Sequence, residues 1–228
     1  METIVQVFEK FLADQKARLK KPTLNKYAGV MDLLERYMNN YAHNFLEEDE
    51  GKLFWNKYKN EKKEFCEIFG IDKLTESEIS EFLSYFMIRK VTASKELMKN
   101  TVRVLRKFIK WLKDNSYIDK DESFYKAVNE YKDNLPKVVE LSGLFAEEEI
   151  KNDFRQYEVY ESGYFTITKI EEDKLWVEDF MGSDTKIGPI IVPKEISLLA
   201  KEGWTAYLEL GRKNKRWYVT GSGKVYPH

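Results

Sequence analysis

The hydrophobic positions change their period about two thirds of the way along the chain. Over residues 1–155, apolar side chains recur three and four positions apart, and only Pro22 and Pro136 interrupt them, which predicts helices almost throughout. The remaining residues contain three of the five prolines and short alternating apolar runs, which predict strands. We therefore predict a two-domain α+β protein, with a helical bundle over residues 1–155 and a β domain over residues 156–228. We expect the junction near residues 153–160.

The helical region divides into segments with recognisable start and stop signals. Its period places helices over about 3–20, 22–41, 52–69, 76–90, 94–115, 121–134 and 137–154. Thr75 and Glu78 form the pattern of a capping box for the helix that begins at residue 76. The acidic stretch over residues 43–51 is predicted to be a loop.

The second region predicts a small closed sheet. Strands are expected over 163–170, 174–181, 187–192, 204–211 and 216–220, with a short helix over 194–201. Five short strands, with one helix between the third and the fourth, are typical of a small β-barrel of the OB or SH3-like kind. Closure is favoured because an open sheet of this size would leave its edge strands exposed.

The helix over 94–115 separates apolar from basic side chains most clearly. Phe108 and Trp111 lie on its apolar face and are predicted to be core residues, while six basic residues fall within about 80° on the opposite side. These six residues are Lys95, Lys99, Arg103, Arg106, Lys110 and Lys113. Like charges four positions apart destabilise a helix by about 0.2–0.5 kcal/mol per pair, so the stripe indicates an anionic partner. The alternative interpretation is a solvated basic face, which a lysine-rich chain also produces.

Composition excludes several classes of protein. The chain has 38 basic and 39 acidic residues, so any affinity for nucleic acid must come from local charge patterning. No run approaches 18 apolar residues, and the N-terminal residues lack a signal-peptide pattern, so we expect no membrane partner. Cys66 is the only cysteine, which excludes an internal disulfide and indicates a reducing, cytoplasmic setting. With His43 and His228 as the only histidines, we predict no metal site, no cofactor and no histidine-based catalysis.

Three segments together resemble the N-terminal core-binding (SAM-like) domain of the phage integrase or tyrosine recombinase family. They are FEKFLADQKARLKKPTLNKYAGVMDLLERYM at 8–38, LTESEISEFLSYF at 74–86 and VLRKFIKWLKDNSYI at 104–118. Their order, caps and spacing agree with that family over about 90 residues, and an insertion at about 43–71 separates the first two segments. The resemblance implies a helical DNA-binding domain with a role in DNA integration or recombination.

The residues that the recombinase reaction requires are missing from this sequence. That chemistry uses arginines, a lysine and histidines around the phosphate, together with a nucleophilic tyrosine, but no His-x-x-Arg occurs here. Ser116 also stands where the family often has glycine. We therefore predict a protein that is not an enzyme.

The resemblance also implies which helices face DNA. In that family the second and fourth helices face DNA. By resemblance these correspond to residues 23–41, with Thr23, Asn25 and Lys26 near the start, and to the striped helix over 94–115. A basic hairpin tip in the β domain offers a further contact for single strands, because such barrels stack bases on aromatic rings. That tip comprises Arg212, Lys213, Lys215, Arg216 and Trp217, and a plain solvated turn is the alternative.

Taken together, these features predict a non-catalytic DNA-binding protein that contacts duplex phosphates through a basic helix. The alternative hypothesis is a protein–protein adaptor, in which the helical domain is a scaffold and the β-barrel binds a partner protein. Salt dependence distinguishes the two, since phosphate binding weakens steeply as salt rises.

Overall fold

The computed structural model describes residues 2–152, 156–182 and 186–227, and the chain is a mixed α+β protein. It divides into two compact units. The first unit contains the residues up to Phe86 and from Leu97 to Lys132. The second unit contains Met87–Glu96 and the residues from Asp133 onward, including the sheet.

Helices occur in both units. They are α1 (Ile4–Lys16), α2 (Lys21–Tyr41), α3 (Glu48–Glu61), α4 (Phe65–Ile68), α5 (Glu76–Glu81), α6 (Met87–Arg89), α7 (Lys95–Asp114), α8 (Glu122–Lys132), α9 (Asn134–Asn152) and α10 (Lys194–Leu199). A π-helical segment, Phe82–Phe86, joins α5 to α6.

Local capping signals account for several helix starts. Thr75 caps α5, with the reciprocal hydrogen bonds to Glu78 that define a capping box, as the sequence predicts. Thr3 and Gln6 make the same arrangement at α1. Pro22 lies in the first turn of α2, where its missing N–H costs nothing.

The segment that follows α2 differs from the prediction. Residues 43–51 are not a loop throughout, because α3 begins at Glu48 and acidic residues occupy its first turn, where they complement the helix dipole. The single helix predicted over 52–69 is also wrong, since α3 ends at Glu61, Lys62 after it adopts the left-handed conformation, and α4 follows separately.

The second unit contains one five-stranded sheet. Its strands are β1 (Val159–Glu171), β2 (Lys174–Asp179), β3 (Lys186–Ile191), β4 (Thr205–Lys213) and β5 (Arg216–Tyr226). They lie in the order β1-β2-β3-β5-β4, and β4 pairs again with β1, so the sheet closes on itself. The closing pair of β3 and β5 is parallel and joins Ile190 to Trp217.

Helix α9 covers the backbone of β5 where β3 does not pair with it. The Asn152 side-chain amide donates to the carbonyl of Val219 at 3.0 Å, and Glu149 Oε2 accepts from the N–H of Ser222 at 3.0 Å. Ser142 Oγ similarly accepts from a β5 backbone N–H at 3.1 Å. Because unpaired strand groups are costly when buried, these side chains attach α9 to the sheet.

The compact units therefore do not follow the predicted boundary after residue 155. The structure groups α9 and Met87–Glu96 with the sheet rather than with the other helices. Residues 153–155, at the predicted junction, and His228 lie outside the described residues. Within the described ranges, no helix combines the length and apolarity needed to cross a bilayer.

Candidate nucleic-acid interface

Helix α7 has one buried side and one exposed side. Phe108 is fully buried, and its ring centroid lies 5.3 Å from that of Phe8 and 5.0 Å from that of Phe11, both on α1. Trp111 is half-buried, and its Nε1 donates to Asp14 Oδ2 at 2.8 Å. Contacts with α1 therefore determine which side of α7 faces solvent.

All six predicted stripe residues are exposed, but two of them have acidic partners. Lys95 belongs to the second unit, where it forms an ion pair with Glu140 of α9. Lys110 forms an ion pair with Asp114 one turn along the helix, at 2.8 Å. The hydrogen bond that Lys110 donates to the Asp114 carboxylate raises the pKa of Lys110. These two cations are partly neutralised within the chain.

The other four stripe residues keep their charge uncompensated. Lys99, Arg103, Arg106 and Lys113 have no ion-pair partner among the described residues. Their recorded hydrogen-bond acceptors are neutral: Asn100 for Arg103, Asn129 for Arg106 and the Asp119 carbonyl for Lys113. The Arg106 guanidinium also lies 5.7 Å from the ring centroid of Tyr125 on α8, which orients it without removing its charge.

The middle of α7 contains no acidic residue. From Leu97 to Lys113 the sequence has six basic side chains and no aspartate or glutamate, and all six are exposed. Lys107 is the member of this run that the predicted stripe omitted. We define the α7 basic face as the five of these residues without an ion-pair partner in the described structure, namely Lys99, Arg103, Arg106, Lys107 and Lys113. A row of exposed cations without interspersed acids suits binding to a polyanion.

The predicted contacts at the start of α2 are also exposed. Thr23, Asn25 and Lys26 lie in the first two turns of α2, in the same unit as the α7 basic face. The ring of Tyr27 stacks on Phe11 with centroids 6.0 Å apart, which ties the start of α2 to α1.

A basic run that the sequence-based prediction did not include begins before these residues. Between Gln15 and Met31 the chain has five basic and no acidic residues. They are Lys16, Arg18, Lys20, Lys21 and Lys26, and all are exposed. Phe11 and Asp14 of α1 both contact Trp111, at 5.6 Å between ring centroids and 2.8 Å between Nε1 and Oδ2, so the part of α1 that leads into this run lies beside the C-terminal part of α7. The signal that could have revealed it is the absence of acids over a stretch of lysines and arginines.

The hairpin tip of the sheet is arranged differently from the stacking platform we predicted. Lys213, Lys215 and Arg216 are exposed at the β4–β5 turn. Trp217, however, is only 8% exposed, and Arg212 covers it with its guanidinium 5.6 Å from the ring centroid. The tip therefore presents cations but not the Trp217 ring.

Two buried groups with shifted pKa values are poor nucleophiles. Cys66 is a free, buried thiol, and desolvation raises its pKa well above the usual range. Desolvation also raises the pKa of Tyr37, so this phenol stays protonated. His43 stacks on Phe54 with ring centroids 5.1 Å apart. Neither Cys66 nor Tyr37 has the lowered pKa that activates a nucleophile.

Comparison of the chain with protein-family models, with curated proteins and with solved structures finds no match.

Proposed function

We propose that this protein is a non-catalytic DNA-binding protein whose α7 basic face contacts the phosphates of a duplex. The observation that carries the proposal is the acid-free run from Leu97 to Lys113, whose six basic side chains are all exposed. At about 1.5 Å per residue, α7 is about 30 Å long, close to one turn of duplex DNA. The resemblance to the core-binding domain of site-specific recombinases points in the same direction.

The start of α2 would add a second set of contacts. Thr23, Asn25 and Lys26 would approach the backbone there, and the basic run from Lys16 to Lys21 extends the positive surface beside them. A hydroxyl, an amide and ammonium groups are common partners of phosphate oxygens. These contacts position a protein on DNA without reading its sequence.

We infer that the second unit is a separate β-barrel domain of the OB kind. The strand order β1-β2-β3-β5-β4, with α10 between β3 and β4, supports this assignment over an SH3-like one. In such a domain the basic β4–β5 tip would contact single strands through Lys213, Lys215 and Arg216. The free, buried Cys66 fits a cytoplasmic setting.

A salt titration tests the proposed duplex binding. Fluorescence anisotropy of a labelled duplex measures affinity at increasing salt, and five phosphate contacts would give a slope of about −4.5 in log affinity against log salt. Supercoiled plasmid incubated with the protein should keep its topology and form no covalent adduct. A duplex left unbound at low salt would refute the proposal, and a trapped adduct would refute its non-catalytic part.

The adaptor hypothesis has its own supporting observation on the outer face of the sheet. Tyr164 of β1 contacts Tyr207 of β4 and Tyr226 of β5, with ring centroids 5.4 Å and 6.3 Å apart. Glu209 follows two residues after Tyr207 and is exposed. Tyrosines are enriched at protein interfaces, so this face would suit a partner protein. Binding of such a partner should change little with salt and should weaken when Tyr164 is replaced by alanine.

A further inference from the structure

Helix α3 is exposed to an unusual degree. Although it has 14 residues, it buries only the side chain of Phe54. The exposed large apolar side chains described in the first unit all lie within residues 45–58, and they are Phe45 (60% exposed), Leu53 (45%), Trp55 (46%) and Tyr58 (46%). Concentrated apolar exposure of this kind marks an interaction surface.

One side of α3 has the spacing of a helix-pairing seam. Glu48, Gly51, Trp55 and Tyr58 follow one another at intervals of three, four and three, which places them on one side of the helix. A Cβ atom built on Gly51 would meet no other atom within 4 Å, so the space over this glycine is open. The rings of Trp55 and Tyr58 are perpendicular, with centroids 5.9 Å apart, and the His43 ring lies 5.5 Å from that of Trp55. The seam therefore presents the bulky ring of Trp55 and, about one turn earlier, open space over Gly51.

The charges of this segment are divided between its two ends. Residues 47–50 are all acidic, whereas the other end is mainly basic, with Lys57, Lys59, Lys62 and Lys63 beside Glu61 and Glu64. Attraction to the helix dipole accounts for part of this division. Several of these charges pair within the chain, as Glu48 does with Lys52 at 2.7 Å and Lys57 does with Glu61 at 2.9 Å. Glu47 and Lys59, which flank the seam at opposite ends, have no ion-pair partner among the described residues.

We propose that α3 is a self-association surface that pairs antiparallel with α3 of a second copy of this chain. In a twofold pair centred on residue 53, position i lies opposite position 106 − i of the partner. Trp55 then lies over Gly51 of the other copy, and Glu47 lies opposite Lys59. The same register places Glu48 opposite Tyr58, whose hydroxyl can donate to the carboxylate. This one register therefore places the exposed Trp55 ring in the open space over Gly51 and pairs Glu47 with Lys59.

A second copy fits this surface better than nucleic acid does. The four acids at the start of α3 would repel phosphates, whereas the twofold register places Glu47 against Lys59 of the other copy. The exposed parts of Phe45, Trp55 and Tyr58 amount to about 300 Å² of ring surface per copy, less than the ~800 Å² that each partner buries in a standard interface. We therefore expect a weak, reversible dimer.

Charge reversal with rescue tests the proposed register. Sedimentation equilibrium of the full chain, from micromolar to millimolar concentration, should show a mass rising from 27.1 kDa toward twice that value. Glu47→Lys and Lys59→Glu should each remove this rise, because like charges then meet at both ends of the pair. An equimolar mixture of the two variants should restore it, since each contact again joins opposite charges. Circular dichroism checks that both variants keep their helices.

Asp49→Lys is the matched control. It reverses a charge in the same turn of α3 but lies off the seam, so association should persist. Three results would each overturn the proposal: wild-type protein that stays monomeric at every concentration, single variants that associate as strongly as wild type, or a mixture that remains monomeric.

Discussion

Removing three cations from the α7 basic face should change both the affinity for duplex DNA and its salt dependence. Lys99, Arg103 and Arg106 are exposed and have no ion-pair partner among the described residues. Replacing all three by Gln therefore removes three positive charges without leaving an acidic residue unpaired. With five phosphate contacts, raising salt fourfold should weaken wild-type binding by about 500-fold. With two contacts left, the slope falls to about −1.8, and the same change should cost only about 12-fold.

The folding stability of this variant should stay nearly unchanged. Glutamine is almost as good a helix former as lysine or arginine, and the substitutions relieve like-charge pairs that each cost about 0.2–0.5 kcal/mol. Against this, Arg106 loses its bond to Asn129 and its contact with the Tyr125 ring. Because both effects are about 1 kcal/mol and opposite in sign, urea unfolding should give a free energy within about 1 kcal/mol of wild type.

A control variant separates local contacts from net charge. Gln at Lys186, Lys194 and Lys224 removes the same three charges from exposed positions of the second unit. Anisotropy titrations of this variant should keep the wild-type slope. If the α7 variant binds with wild-type affinity and slope, or if the control loses as much as the α7 variant, phosphate binding by α7 is refuted.

Further expectations concern other parts of the chain. Asp114→Asn should free Lys110 and steepen the salt slope by about 0.9, and an unchanged slope would show that Lys110 makes no phosphate contact. Burial raises the pKa of Cys66, so its contribution to stability is complete below the thiol's unfolded-state pKa of about 8.5 and should decline above it. Urea unfolding at several pH values should therefore show a steeper alkaline loss than in Cys66→Ala. A Cβ atom on Gly211 would lie 2.4 Å from the Tyr157 ring, so Gly211→Ala should cost about 1–3 kcal/mol in thermal unfolding. Adding Tyr157→Ala should recover part of that loss, and full additivity of the two costs would contradict the steric explanation.

Much of the local structure of this protein follows from its sequence alone. The capping box at Thr75, the proline in the first turn of α2 and the two-sided character of α7 depend on residues only a few positions apart. The five strands with one helix between the third and the fourth were predictable for the same reason, because alternation and turn residues act over short distances.

The acidic run before α3 shows where local patterns mislead. Glutamates and aspartates in a row suggested a solvated loop, yet they also suit the first turn of a helix, where N–H groups attract negative charge. Composition does not decide between these outcomes. The exposure of Trp55 and Tyr58 likewise depends on which segments pack against α3, which the sequence pattern does not determine.

Only the tertiary structure decided which basic side chains lack an acidic partner and which helix packs on the sheet. Lys95 pairs with Glu140, which is 45 residues further along the chain, and Trp111 bonds to Asp14 across 97 residues. The attachment of α9 to β5 likewise depends on Asn152 reaching the backbone of Val219. A periodic pattern indicates which side of a helix or strand is apolar. It does not indicate which segment covers that side, or which acidic residue neutralises a charge on the opposite side, because both depend on contacts between residues far apart in the chain.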